Sequence, residues 1–279
     1  MTVELMATCW THAGGVRPLD DPEVSPVSIE ERVAEVGAGG WAGIGFAQGD
    51  LEVVARTTGF EALAARIREA GLRYVEVELL TDWWLAPELW RPRWDLLSSA
   101  ATTLGAATVK IGSALGTAVD DLTPFVQPAR DLAREAADLG VRLALEPLPF
   151  ALIGSIPQGA QLAREVDHPA FGLCVDAWHV FRAGTSLDEL AECLSAGLVV
   201  SVELDDADAE TVGSLFDDTR DRRRYPGEGS FDMRGFIEVL RTAGFTGPWG
   251  VEMLSDTHRA LPLTEGLRRA RDSALAILC

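Results

Sequence analysis

Short apolar runs alternate with amphipathic segments along this 279-residue chain, and that alternation restricts its fold more than any other feature. Eight runs read as strands: Leu5–Trp10, Ala42–Ala47, Tyr74–Leu80, Thr108–Gly112, Arg142–Pro147, Gly172–Asp176, Val199–Leu204 and Gly250–Leu254. Between them, apolar residues recur at three- and four-residue spacing, the period of a helix. EALAARIREAGL stops at Gly71, ARDLAREAADLG stops at Gly140, FIEVLRTAGF ends at Gly244, and LTEGLRRARDSALAIL closes the sequence.

Eight strand and helix pairs without a dividing linker predict a single (β/α)8 TIM barrel over residues 1–279. The rival is an open doubly wound sheet, but no GxGxxG or P-loop follows the first strand to give it a nucleotide signature. At 47% hydrophobic residues the chain has ample material for a large core. Its net charge of −19 excludes nucleic acid or an anionic membrane surface as the main partner, because like charges repel. The four cysteines lack CxxC spacing, and two lie in apolar runs as reduced core thiols do. MTVELMATCWTHAGG lacks the basic and long apolar regions of a signal peptide, and no run approaches the ~20 apolar residues of a membrane span. The expected setting is the reducing cytoplasm.

Strand side chains alternate between two faces. In the fifth strand Ala144 and Glu146 share a face, in the sixth Cys174 and Asp176, in the seventh Ser201 and Glu203, and in the eighth Gly250 and Glu252. A small residue followed by an acid thus recurs on four consecutive strands, with bulky apolar residues opposite. In a barrel the acids face the axis near the C-terminal mouth, where such folds carry their sites, and the small residues beneath leave room for a bound molecule. Four converging carboxylates cannot all stay ionised, since mutual repulsion and desolvation both raise their pKa values. A divalent cation among them is the economical solution, and hard oxygen ligands favour Mg²⁺ or Mn²⁺, with Co²⁺ and Zn²⁺ also compatible. A single acid at a strand end has plainer uses, as a helix N-cap or an ion-pair partner.

In these segments the sequence resembles the xylose isomerase-like TIM barrels, the sugar phosphate isomerase/epimerase superfamily. The matching pieces are LEPLP at 145–149, VDAWH at 175–179, RRYPGEGSFD at 223–232 and GFTGPWGVEMLS at 244–255. The resemblance implies that Glu146, Asp176 and Glu252 ligate a metal, with the two glutamates doubling as catalytic acid and base. It implies substrate contacts for His179 and for Arg223, the latter to a substrate oxygen or phosphate. One departure concerns the seventh strand, where the family typically has histidine in a pattern like VHLKD and some members have glutamine. This chain has VELDD, which puts Glu203 at the ligand position and makes the site harder and more negative. The segment 205–222 is also longer than the family's loops.

Lys110, the only lysine in the chain, should point inward from the fourth strand. It would bind a substrate oxygen, balance the acidic ring or act as a Schiff base, or else form a structural pair with Glu76 or Glu78. Trp83 and Trp84 follow the third strand and would wall the mouth, stack on a sugar or serve packing. His12, after the first strand, would line the pocket or merely be solvated. Exposed tryptophans would suit a homodimer.

These observations lead to a metal-dependent isomerase or epimerase of a small hydroxy-ketone such as a ketose or inosose, working through a metal-stabilised enediolate with Glu146 and Glu252 exchanging the proton. A dehydratase or lyase sharing the enolate, and a sugar-binding barrel without catalysis, are the alternatives. A DNA-repair endonuclease of the same superfamily needs many histidines, and this chain has four.

Overall fold

The computed structural model describes residues 3–279. Its strands are β1 (Leu5–Ala7), β2 (Gly43–Ala47), β3 (Tyr74–Leu80), β4 (Thr108–Gly112), β5 (Arg142–Glu146), β6 (Phe171–Asp176), β7 (Val199–Leu204) and β8 (Trp249–Val251). Each pairs in parallel with its sequence neighbours, and β1 pairs with β8, so the sheet closes into an eight-stranded barrel with helices outside. Among the described residues no helix is long and apolar enough to cross a membrane.

The outward faces of the strands carry the expected bulky residues. Ile44, Phe46, Val77, Val109, Ile111, Leu143, Leu145, Leu173, Val175, Val202 and Leu204 are buried in one core cluster with the helices. Each Val, Leu, Ile or Phe side chain buried in this way contributes roughly 1.5–3 kcal/mol. The helix Thr123–Asp138 shows how the pattern works. It opens on Pro124 in its first turn and buries Phe125, Ala129, Leu132, Ala133 and Ala136, one stripe at helical spacing.

Strand ends depart from the expected ranges for local reasons. β5 stops at Glu146 because Pro147 has no N–H to continue the ladder. β1 ends at Ala7 rather than Trp10: the Thr8 and Thr11 hydroxyls donate to Val251 O at 3.0 and 2.6 Å, and residues Cys9–Thr11 turn into a short 3₁₀ helix. β8 ends at Val251 rather than Leu254, because Met253 N turns to the Thr11 hydroxyl at 2.9 Å. Glu252 therefore sits one residue beyond its strand, held by its N–H on Leu204 O at 3.1 Å. The connections after β2 and β6 each carry two helices, Gln48–Arg56 with Phe60–Glu69 and Ala177–Arg182 with Leu187–Cys193.

His258 closes the barrel over this junction. Its Nε2 donates to Thr11 O at 2.9 Å, which leaves Nδ1 to accept from the Tyr225 hydroxyl at 2.9 Å. Burial holds the imidazole pKa below its ordinary value. The unfolded chain then takes up a proton near pH 6.5 that the folded chain refuses, so this residue's contribution is complete above pH 6.5 and is lost as pH falls below it. The stability cost of His258→Gln should accordingly be larger at pH 7.5 than at pH 5, as read by urea unfolding at both values. A gap that widens on acidification would show the opposite shift.

Candidate active site

Lys110 and Arg223, two buried cations, organise the barrel mouth. Around them stand seven buried carboxyl side chains: Glu76, Glu78, Glu146, Asp176, Glu203, Asp205 and Glu252. The strand registers explain the meeting, since Gly112 lies beside Glu146, Asp176 beside Glu203, and Glu203 beside Gly250. One ligand atom from each of Glu146, Asp176, Glu203 and Glu252 falls within 4.8 Å of the others, and Glu146, Asp176 and His179 meet the same test.

Lys110 Nζ lies 2.5 Å from Glu78 and from Glu203, 3.5 Å from Glu252 and 3.9 Å from Glu146. Of its two expected pairings on β3 it makes the one to Glu78. Glu203 is bound below by Lys110 and also accepts from the Cys174 thiol at 3.4 Å. The small residues Ala144, Cys174, Ser201 and Gly250 border no open space: the wall of the cavity above includes Lys110, Glu146 and Glu252 but none of these four. The room they leave is occupied by the buried Lys110 and Glu203 side chains rather than offered to a ligand.

Asp176 is both a cap and an ion-pair partner. Its Oδ1 accepts from His179 N at 2.9 Å, starting the helix Ala177–Arg182, and its Oδ2 accepts from Arg223 at 2.6 Å. Arg223 also reaches Asp205 and lies 3.2 Å from Glu252. Its Nε and Nη2 donate to the Thr219 hydroxyl at 3.2 and 2.9 Å, and its guanidinium lies over the Trp178 ring at 5.7 Å. The long 205–222 segment is what positions it. The helix Leu215–Asp221, capped by Ser214, presents Thr219, while Asp206 and Arg224 form an antiparallel bridge across the loop. The Asp206 carboxylate accepts from the N–H groups of Ala207, Gly227 and Phe231, tying the PGEG turn down. A Cβ at Gly229 would lie 2.2 Å from that carboxylate, so only glycine fits there.

The electrostatics follow from burial and crowding. Burial, then the charges of Glu252 and Asp176, push Glu146 up to about 8 against the pull of Lys110. Burial raises Glu76 to about 7 and holds Glu203 and Asp205 well above the carboxylate range. Asp176 is the exception, because Arg223 and His179 outweigh its burial and hold it below its ordinary value. Burial and the Arg223 charge lower His179 to about 4, so its ring is neutral near pH 7. An Arg223 N–H faces its Nε2 at 3.4 Å, leaving Nδ1 to carry the proton, and Nδ1 is buried without a partner among the described residues. The ring packs edge-on to Trp178 and Phe150, and Phe181 stacks on Phe231.

Above this floor opens a cavity of about 710 Å³. Glu78, Lys110, Glu146, His179, Arg223 and Glu252 reach it, and Leu79, Leu115, Leu148, Phe150, Phe216 and Leu254 add an apolar wall. His12 and Trp83 are not part of it. His12 is buried with its Nε2 donating to Gly45 O at 2.9 Å, and Trp83 Nε1 donates to Gly112 O at 2.8 Å while its ring packs on Phe125. All eight tryptophans are buried or half-buried, so the exposed tryptophans expected of a dimer face are absent from the described residues. Asp205 and Thr219 are the site residues the sequence reading missed. The alternation that pointed to Glu203 also puts Asp205, two residues on, toward the same side.

A profile of the xylose isomerase-like TIM barrel family matches residues 31–273. Among curated proteins, a 3-dehydroshikimate dehydratase from Pseudomonas putida is 26% identical over 181 residues, which are 63% of this chain and 28% of that protein. An inosose isomerase from Halalkalibacterium halodurans is 24% identical over 150 residues, 53% of this chain and 52% of the relative. The matches thus span about half of these relatives' length or less. In structure, an IOLI protein crystallised with a zinc atom superimposes with a TM-score of 0.83 at 17% identity, covering 99% of this chain and 98% of that one. An L-ribulose 3-epimerase gives a TM-score of 0.74 at 16% identity, with 99% and 95% coverage. The closed barrel, with its acids gathered at the C-terminal mouth, and the profile match over most of its length make this chain a member of the xylose isomerase-like TIM barrel family.

Proposed function

We propose that the protein is a divalent-metal-dependent isomerase or epimerase of a small hydroxy-ketone. The observation that carries this reading is the meeting of Glu146, Asp176, Glu203 and Glu252 within 4.8 Å in a pocket where carboxyl groups exceed cations. The donor set fits a hard divalent ion: oxygen ligands only, from buried carboxyl groups that outnumber Lys110 and Arg223. Glu146, Asp176, Glu203 and Glu252 would hold it, with Mn²⁺ or Mg²⁺ favoured. When bound, such an ion polarises a carbonyl and acidifies the neighbouring C–H.

The chain's own groups supply the proton transfers. Glu146, at the end of β5, and Glu252, just beyond β8, both reach the cavity and would stand on either side of the substrate carbon. One removes the proton and the other returns it. His179, neutral and with its Nε2 3.6 Å from Glu146 Oε1, would contact a substrate oxygen without adding charge. Phe150, Leu148, Phe216 and Leu254 keep water from the reacting carbon.

The dehydratase relatives support a second outcome from the same proton abstraction, in which the enolate expels a β-hydroxyl. Incubation of inososes and ketoses in D₂O separates the two: wash-in of deuterium without loss of water marks isomerisation, and a new ultraviolet chromophore marks elimination.

Glu146→Gln and Glu252→Gln should each lower kcat by about 10²–10⁴-fold while the protein still unfolds cooperatively, measured by steady-state kinetics beside thermal melts. Wild-type turnover in either variant removes that residue from proton transfer. Dialysis against a chelator should abolish turnover, and Mn²⁺ or Mg²⁺ should restore it. Elemental analysis should find about one divalent ion per chain, and Asp176→Asn should lose it. Full activity in metal-free protein would rule out the proposal.

A further inference from the structure

The cations of the cavity are already spoken for. Four line it, Arg56, Arg93, Lys110 and Arg223, beside eight acids: Asp20, Asp21, Glu23, Glu52, Glu78, Asp82, Glu146 and Glu252. Arg223 is committed to Asp176, Asp205 and Thr219, and Lys110 to Glu78 and Glu203. At the rim, Arg93 holds the Thr81 hydroxyl at 2.8 Å, the Asp82 carboxylate at 2.7 Å and Leu89 O at 3.0 Å. Arg56, with 68% of its side chain exposed, lies 3.6 Å from Glu52. Asp21 and Glu23, by contrast, form no ion pair among the described residues.

Resting on the metal-site reading of this pocket, we infer that its substrate is an uncharged polyhydroxylated ketone, carrying neither phosphate nor carboxylate. A phosphate or carboxylate is recognised by charge-assisted hydrogen bonds from arginine, lysine or free backbone N–H groups. Here Lys110, Arg93 and Arg223 are each bound by acids, and Arg56 stands at the exposed rim beside Glu52. Drawing Arg223 toward a ligand would strand Asp176 and Asp205 in a buried setting, the most costly way to open an ion pair. Toward the rim, Asp20, Asp21, Glu52 and Asp82 outnumber Arg56 and Arg93, so an anion approaches through an unfavourable field. Hydroxyl groups meet no such barrier, because they carry no charge and donate to carboxylates. The apolar wall of Val24, Leu79, Leu115, Leu148, Phe150 and Phe216 offers contact to the C–H face of a ring. The inference also bears on the two curated activities among its relatives, since a dehydroshikimate carries a carboxylate and an inosose carries no charge.

Titration calorimetry on the Mn²⁺-loaded protein tests this with matched ligands: an inosose against 3-dehydroshikimate, and a ketose against its terminal phosphate. The neutral member of each pair should bind at least about tenfold more tightly. Raising the salt should leave its affinity unchanged while improving that of the anion, because screening weakens repulsion. Tighter binding of the phosphate or carboxylate, weakening as salt rises, overturns the inference by revealing an uncommitted cation. Binding of neither member at millimolar concentration overturns it as well. Deuterium wash-in on the same samples keeps the two proposals apart. A neutral ketone that binds without exchanging its C–H sinks the proton-transfer reading and leaves the charge preference intact, whereas exchange confined to an anionic ketone does the reverse.

Discussion

Burying a carboxylate is expensive, and this barrel buries seven of them around one axis. Desolvation alone disfavours each charge, and every neighbouring acid adds to the penalty. The fold tolerates the cluster because Lys110 and Arg223 enter it from opposite directions, one from inside the sheet and one from a loop above it. Lys110 stands on β4 across the axis from β7 and reaches Glu203, 93 residues away in sequence. Arg223 descends from the loop after β7 and clamps the ends of β6 and β8 through Asp176 and Glu252. Removing one partner of such a buried network costs ~3–5 kcal/mol, because the remaining charge is left without compensation. The cluster therefore fixes the mouth of the barrel as firmly as the apolar shell fixes its sides.

The two cations also divide the cluster into tiers. Glu203, Cys174 and Glu78 gather round Lys110, and Glu203 is fully buried there. Glu146, Glu252, His179 and Arg223 form the upper tier that faces the cavity. The upper-tier side chains are each held to one geometry by a surrounding shell. Here the shell is ionic below, with Lys110 within 4 Å of both Glu146 and Glu252, and aromatic beside, with Phe150 and Trp178 edge-on to His179.

What the sequence disclosed, and what it withheld, divides along the same line. The barrel was legible because each strand carries its own two-residue alternation and each helix its own apolar stripe, both local signals. The row Glu146, Asp176, Glu203, Glu252 was legible for the same reason, as identical alternation ends four strands near the same level. The reach of Arg223 was not, because it depends on a loop tied down by Asp206 and on a helix, Leu215–Asp221, inserted into it. His12 and Trp83 lie close to the mouth in sequence, but each has a polar atom that a buried carbonyl claims, Gly45 O for one and Gly112 O for the other. Nearness to a strand's C-terminal end does not say which way a side chain turns once a backbone acceptor is within reach. The small residues under the acids misled in a related way, since space beneath an acid can be filled by a neighbour's long side chain.

Lys110 and Glu203 are best understood together. The seventh strand carries an acid, Glu203, where the resemblance leads one to expect an imidazole, and the one lysine in the chain lies 2.5 Å from that acid. A carboxylate substituted alone for a neutral ligand would add a full charge to an already crowded pocket, and its pKa would rise until it was protonated. An ammonium substituted alone would need a counter-ion in the dry interior. As a pair they cancel, and the balance among Glu146, Asp176 and Glu252 stays close to that of a site with a neutral fourth residue. Glu203 is thereby drawn toward an internal ammonium, and Glu146 and Glu252 are left facing the cavity above it.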